Sequence, residues 1–145
     1  MIRLVQIDKK NIHKVANLKV RRDQKNDVAP NLYSLAEAYV NQDVARPYAI
    51  MHNDIVVGFL MLWWEEGVEA TIWRFMIDKR FQNKGFGRLA MIEAINLIKA
   101  SNKFDKIKLS VVETNTKTLK FYESFGFKLT GNRDDEEVEM ALPIK

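Results

Sequence analysis

The sequence predicts a single domain of mixed α/β class, a central sheet with helices on its faces. Three observations carry that reading. The chain has 145 residues, enough for one domain (1–145) with a sizeable core. Its 47% hydrophobic and 29% charged residues are ordinary for a globular protein. Runs with strand character and runs with helical period follow one another as β-α-α-β-β-β-α-β-α-β-β, without internal repeat or low-complexity linker.

Each element has its own signal. "IRLVQI" alternates and is rich in branched residues, as a strand should be. Asp8 is a helix cap, and the apolar spacing of Ile12, Val15, Ala16 and Leu18 predicts a helix over about Lys9–Arg22. "QKNDVAPN" is a polar loop. A second helix is expected over about Ser34–Val40, with Ser34 and Glu37 at capping-box spacing. "RPYAIMH" and "IVVGFLMLWW" are strands joined by the turn pair Asn53-Asp54. "EEG" turns the chain into "VEATIWRFMID", a long apolar strand. A helix to about Ala100 follows, its buried stripe read as Met91, Ile95 and Ile98 with Leu89 and Ile92 beside them. "KIKLSVV" is a strand, "TNTKTLKFYESFG" a helix stopped by Gly126, and "FKLTGNR" and "EEVEMALPI" two closing strands around an acidic turn.

Composition removes several functions. With no cysteine there is no disulfide, thiolate zinc site or cysteine nucleophile, and two histidines argue against a histidine-rich metal site. No apolar run has the length of a membrane span. "MIRLVQIDKK" lacks the layout of a signal peptide, so a cytoplasmic location is the expectation. The net charge of +4 comes from cations scattered among acids, with no basic run and no interleaving of basic and aromatic residues, so nucleic acid is not an expected partner.

One stretch carries chemistry: "QNKGFGRLAMIEAINLIK", Gln82–Lys99. Gly85 and Gly87 stand directly before a helix. The first N–H groups of a helix lack partners and the helix dipole adds positive charge there, so a glycine turn at that point can hold an anion. Equally, the glycines can serve only a tight strand-to-helix turn. The pattern is neither a dinucleotide fingerprint nor a P-loop: the third glycine of the one and the Lys-Ser/Thr pair of the other are missing.

The segments "WRFMIDKRFQNKGFGRLAM" and "VVETNTKTLKFYESFGFKLTG" resemble the GNAT family of N-acetyltransferases. The resemblance spans nearly the whole chain. It rests on Gln82, Gly85 and Gly87 opening a helix after a strand, then on Asn115, Tyr122, Gly126 and Phe127 in order. It implies a mostly antiparallel sheet of about seven strands flanked by four helices, with the fourth and fifth strands splayed apart. It implies acetyl-CoA as cosubstrate and no metal. Backbone N–H groups from Gln82 through Asn83, Lys84, Gly85, Phe86, Gly87 and Arg88 would hold the pyrophosphate, with Lys84 and Arg88 adding charge. Phe75 and Ile77 would offer main-chain contacts to pantetheine, with Met76 between them near the thioester, and Asn115 suits either a hydrogen bond to the pantetheine arm or a cap on the fourth helix. Tyr122, seven residues after Asn115 and so on the same helical face, would protonate the departing thiolate; read from the residues alone it can equally be a packed aromatic beside Phe121, Phe125 and Phe127. Relatives being often dimers, a homodimer is a further implication.

The acceptor is an amine that must lose a proton before attack. Glu65, Glu66 and Glu69 near the third hairpin, and Asp78 after the fourth strand, are candidate bases, with Glu65 and Glu66 acting through water preferred. Some relatives place a glutamate where this chain has Trp73-Arg74, a departure that weakens a strand-borne base. "SLAEAYV", "ARPYAI" and "WRFMIDKRFQNKGFGR" resemble segments of bacillus-type spermine/spermidine (diamine) N-acetyltransferases, which implies a polyamine acceptor. Five acids within Asn132–Glu139, with Glu37 and Asp43 opposite, are expected to border the acceptor cleft. Trp63, Trp64 and Trp73 either hold alkyl spacers or belong to the core. A peptide N-acetyltransferase of the same fold and a non-catalytic acyl-CoA-binding module are the alternatives.

Overall fold

The computed structural model describes all residues, 1–145. Seven strands form one sheet: β1 (Ile2–Gln6), β2 (Ala45–His52), β3 (Ile55–Glu65), β4 (Glu69–Ile77), β5 (Lys106–Val112), β6 (Lys128–Asp134) and β7 (Glu137–Pro143). Four helices accompany them: α1 (Ile12–Ala16), α2 (Asn31–Val40), α3 (Phe86–Ser101) and α4 (Thr116–Glu123). The strand order is β1-β2-β3-β4-β5-β7-β6. Every neighbouring pair is antiparallel except β4 and β5, which run parallel and pair only at Ala70↔Ile107 and Thr71↔Lys108. Beyond Thr71 the two strands separate. No helix is long and apolar enough to cross a membrane.

Strand alternation sorts side chains to two cores. On one face Leu60, Leu62, Ile72 and Leu109 pack against Met91, Ile95 and Ile98 of α3 and Tyr122 of α4. On the other, Ala49, Phe59, Met61 and Met76 pack against Val15 and Ala38 of the first two helices.

Three local expectations are corrected. α1 ends at Ala16 instead of continuing to Arg22. The Lys19 N–H donates to the Asp78 carboxylate at 2.8 Å, and the Lys79 N–H donates to the Lys19 carbonyl at 2.7 Å. These tertiary bonds take the backbone groups that a longer helix would have used. α2 starts at Asn31, so Ser34 lies inside it, buried, and no Ser34–Glu37 capping box exists. Both side chains turn instead to Arg74. Finally, Leu89 and Ile92 are exposed, and Ala90 and Ala94 complete the buried stripe of α3. Small residues on that face let the helix lie close to the sheet.

Candidate functional site

The gap between β4 and β5 opens into a cleft of about 1090 Å³. One wall is β4 and the turn into α3. The other is β5 with the start of α4. On its β3 side β4 stays paired through Leu60↔Phe75, Phe59↔Met76 and Gly58↔Ile77, so the edge of Phe75–Ile77 that faces β5 carries backbone groups with no strand partner. The β3–β4 register slips between Met61↔Arg74 and Leu62↔Ile72, leaving Trp73 as an extra residue beside the gap. A bulge of this kind redirects side chains and interrupts pairing.

At the cleft's mouth the chain turns from β4 into α3. Asn83 and Gly85 both have left-handed backbones, at φ 63° and 84°. The first intrahelical bond is from the Leu89 N–H to the Gly85 carbonyl, which leaves the N–H groups before it free at the helix start. Left-handed residues next to a helix N-terminus make an anion-binding concavity. Gln82, Asn83, Gly85, Gly87 and Arg88 border the cleft; Lys84 and Phe86 do not. The Phe86 ring lies against His52 instead, with centroids 4.5 Å apart. The Gln82 side chain braces the turn, donating to the Ile77 carbonyl and to Gln24 Oε1, both at 2.9 Å. Arg88 reaches α4, donating to Ser124 Oγ at 2.9 Å over the Phe125 ring.

Tyr122 and Asn115 border the other wall. Asn115 caps α4, its Oδ1 accepting from the Thr118 N–H at 3.3 Å. Tyr122 is buried among Phe121 and Phe127, and burial pushes its phenol well above the ordinary tyrosine range. A phenol so placed keeps its proton at any physiological pH and is therefore a donor.

The candidate bases are placed elsewhere. Glu65 accepts from Trp63 Nε1 at 3.0 Å in the β3–β4 hairpin, Glu66 lies in its exposed turn, and neither borders the cleft. Glu69 pairs with Lys108 at 3.6 Å. Asp78 is buried and fully engaged, accepting from the N–H groups of Lys19 and Arg80 and from the Arg80 guanidinium. Burial would raise its pKa, but these donors outweigh that and hold it below the usual carboxylate value. Glu37 pairs with Arg74 at 2.6 Å, so it is no free acid on the far wall, and Asp43 is outside the cleft. Of the acidic hairpin only Glu137 borders it.

The lining is thus mixed in charge rather than acidic. Its cations are Arg21, Arg74, Arg88 and Lys117. Its acids are Asp23, Asp27 and Glu137. Asp23, Asp27 and Gln24 come from the segment between α1 and α2, which the sequence shows only as a polar loop without periodicity. Trp73 borders the cleft edge-on to Trp63, with centroids 5.4 Å apart, while Trp64 is core.

A mixed sheet split between two parallel strands, with an anion-ready helix start at the mouth of the split, defines a class of protein that can hold an anionic ligand with an extended arm between its strands. The sequence matches the model of the acetyltransferase (GNAT) family over residues 11–127. The chain belongs to that family. It is 30% identical over 96 residues to a spermine/spermidine N(1)-acetyltransferase of Bacillus subtilis (strain 168), which covers 61% of this chain and 63% of that protein. The match therefore spans just under two thirds of the curated relative's length. Among solved structures, spermidine N-acetyltransferase from Vibrio cholerae in complex with CoA and spermine superposes with TM-score 0.79 at 19% identity, covering 98% of this chain and 95% of that one. The ribosomal-protein-S18-alanine N-acetyltransferase from Escherichia coli gives TM-score 0.76, also at 19% identity, over 100% and 95%. At such identities the superpositions show the shared fold alone.

Proposed function

We propose that this chain is an acetyl-CoA-dependent N-acetyltransferase acting on a primary amine, with a polyamine such as spermidine or spermine as acceptor and direct attack in a ternary complex. One observation carries the reading: a continuous path from the helix start at Asn83–Arg88, along the unpaired edge of β4, to Tyr122. The pyrophosphate of acetyl-CoA fits the free N–H groups at that helix start, with Arg88 beside it. The pantetheine amides fit the edge of Phe75–Ile77 as a short extra strand, with Asn115 across from them. The thioester then lies near Met76 and Tyr122. The amine lone pair attacks its carbonyl carbon, the C–S bond breaks, and Tyr122 hydrogen-bonds the leaving thiolate and passes it a proton, which solvent then returns to the phenol. The amine's own proton goes to solvent, and no carboxylate is assigned to it because Glu65 and Glu66 lie outside the cleft.

The polyamine acceptor is supported by the names of the curated relative and of the Vibrio cholerae enzyme, which concern those proteins. The mixed charge of the lining favours a second reading, acetylation of a peptide N-terminus, since an acidic pocket is not what the acceptor meets. CoA release measured with spermidine, spermine, a monoamine of matched length and short peptides separates the two. Spermidine and spermine should give the highest kcat/KM. A peptide preference would move the assignment to the second reading, and no CoA release with any acceptor would leave an acyl-CoA-binding module.

A further inference from the structure

α2 is amphipathic the wrong way round for a helix at a free surface. Its polar side chains point inward. Asn31 and Ser34 are buried, Asn31 Nδ2 donates to the Val15 carbonyl at 2.8 Å, and Ser34 and Glu37 hold Arg74 of β4. Its outward face is Leu32, Tyr33, Ala36, Tyr39 and Val40, all exposed. At 3.6 residues per turn these five fall within an arc of about 120°, the width of a stripe that ordinarily faces a core. Leu32 is 67% exposed, Tyr33 59%, and Tyr39 and Val40 74% each. Glu37 is the one charged residue of the helix and it is paired with Arg74, so the stripe itself carries no charge.

The order of residues along the stripe is palindromic. Leu32-Tyr33, Ala36 and Tyr39-Val40 read as aliphatic-Tyr, Ala, Tyr-aliphatic in either direction, centred on Ala36. A two-fold interface needs this property, since residue i meets j while j meets i. Where two copies of α2 cross antiparallel over Ala36, Leu32 of each meets Val40 of the other, Tyr33 meets Tyr39, and Ala36 meets Ala36. The alanines let the helix axes approach, and the larger side chains pack on either side of the crossing. A two-fold axis also sets every charge near it against its own copy, which a charged face would resist and this uncharged one does not. At roughly 150–250 Å² for a fully buried tyrosine, and somewhat less for Leu or Val, these exposures amount to on the order of 500 Å² per copy, or about 1,000 Å² for the pair, which is where specific interfaces begin.

We propose that the outward face of α2 is the contact between two copies of this chain, packed antiparallel about a two-fold axis through Ala36. The pairing is independent of the acetyltransferase reading, because no residue of the stripe borders the cleft. It bears on the cleft only from behind. The opposite side of the same helix holds Arg74, which lines one wall, so a second copy seated on α2 fixes the support of that wall.

The test is sedimentation velocity of the full chain over roughly 1–100 μM, the range in which an interface of this size should associate. Thermal melts confirm that each variant is folded, as substitutions at exposed positions should be. The unaltered chain should form a dimer and nothing larger. Ala36→Arg sets two like charges against each other on the axis and should weaken the dimer by roughly a hundredfold or more. Leu129→Arg, at another exposed apolar side chain on the edge strand β6, should leave it unchanged. Two further substitutions test the register and suit the helix dipole, Tyr33→Glu near its start and Tyr39→Lys near its end. Each alone should weaken the dimer. Together they bring opposite charges face to face at both ends of the crossing, so the double variant should associate more tightly than either single one, and added salt should reduce that recovery. A chain that stays monomeric throughout, a dimer indifferent to Ala36→Arg, or one lost with Leu129→Arg instead would overturn the assignment. A double variant no tighter than the single ones would overturn the antiparallel pairing about Ala36, and open-ended association would replace the two-fold contact with a head-to-tail one.

Discussion

Tyr122 and Asp78 are two buried ionisable groups that their surroundings shift from ordinary behaviour, and in opposite directions. Burial without a charged partner keeps Tyr122 protonated, so its hydroxyl stays available to donate a hydrogen bond toward a thiolate, although burial also makes it a weaker acid. Tyr122→Phe leaves the ring packing nearly intact, so we expect kcat to fall by about tenfold or more with little change in acetyl-CoA affinity, read by steady-state kinetics. If the amine enters neutral, kcat/KM should rise about tenfold per pH unit below the amine's own pKa near 10. No descending limb should come from Tyr122 in that range, because its phenol is shifted upward. Asp78 is the reverse case, a carboxylate consumed by structure. Its folded pKa lies below the ordinary aspartate value of 3.8, so its contribution is complete above that value and is lost as pH falls through the lower folded one. Asp78→Asn places an N–H₂ where donors converge, at a cost of about 1–3 kcal/mol near neutrality. The gap between variant and parent in urea denaturation should narrow below roughly pH 4. A gap independent of pH would show that packing, not charge, is what Asp78 supplies.

At the scale of elements, what was readable in sequence is what local period determines. β5 was readable to the residue as "KIKLSVV", because alternation and the flanking polar turns agree. The Asn115 cap and the Gly85 turn were readable because few residue types adopt those geometries. What failed was whatever distant partners decide. Nothing local reveals that the backbone at Lys19 bonds to Asp78, 59 residues away, and so ends α1 early. Nor can hairpin acids such as Glu65 and Glu66 be assigned a direction from their spacing. The segment between α1 and α2 was unreadable for the same reason: Gln24 and Asp27 bond to Gln82 and Asn115, and a polar loop has no period to point at either. One glycine went unread in the same way. A Cβ at Gly58 would press directly against the Met76 carbonyl, where β3 and β4 approach closely. Gly58→Ala should therefore destabilise the protein by about 1–3 kcal/mol in chemical denaturation. Because Gly58 pairs with Ile77 at the base of the cleft wall, acetyl-CoA affinity should also weaken. Parent-like stability would mean that β4 can shift to make room.

For the molecule as a whole, the split sheet couples ligand binding to global stability. The walls of the cleft belong to opposite halves of the sheet, joined between β4 and β5 by only two residue pairs. A ligand that bonds to both walls adds cross-links where the sheet has fewest, and it binds the folded state only. At a hundred times its dissociation constant, acetyl-CoA should contribute about 2.7 kcal/mol. For a chain of this size that is a rise in Tm of roughly 5–10 °C. Gly87→Glu tests whether the gain comes through the helix start. A Cβ at Gly87 would meet only the Ile77 and Phe75 side chains at 3.6 Å, an ordinary contact, so the variant should fold. Its carboxylate, however, would stand where the pyrophosphate is to be bound and would oppose both the free N–H groups' ligand and the attraction of Arg88. The variant should thus melt near the parent's unliganded Tm and lose the acetyl-CoA shift. Added salt should reduce the parent's shift as well, since Arg88 and Lys117 lie at a solvent-open mouth. A Gly87→Glu protein that folds and keeps the full shift would place the phosphates elsewhere and detach the glycine turn from cosubstrate binding.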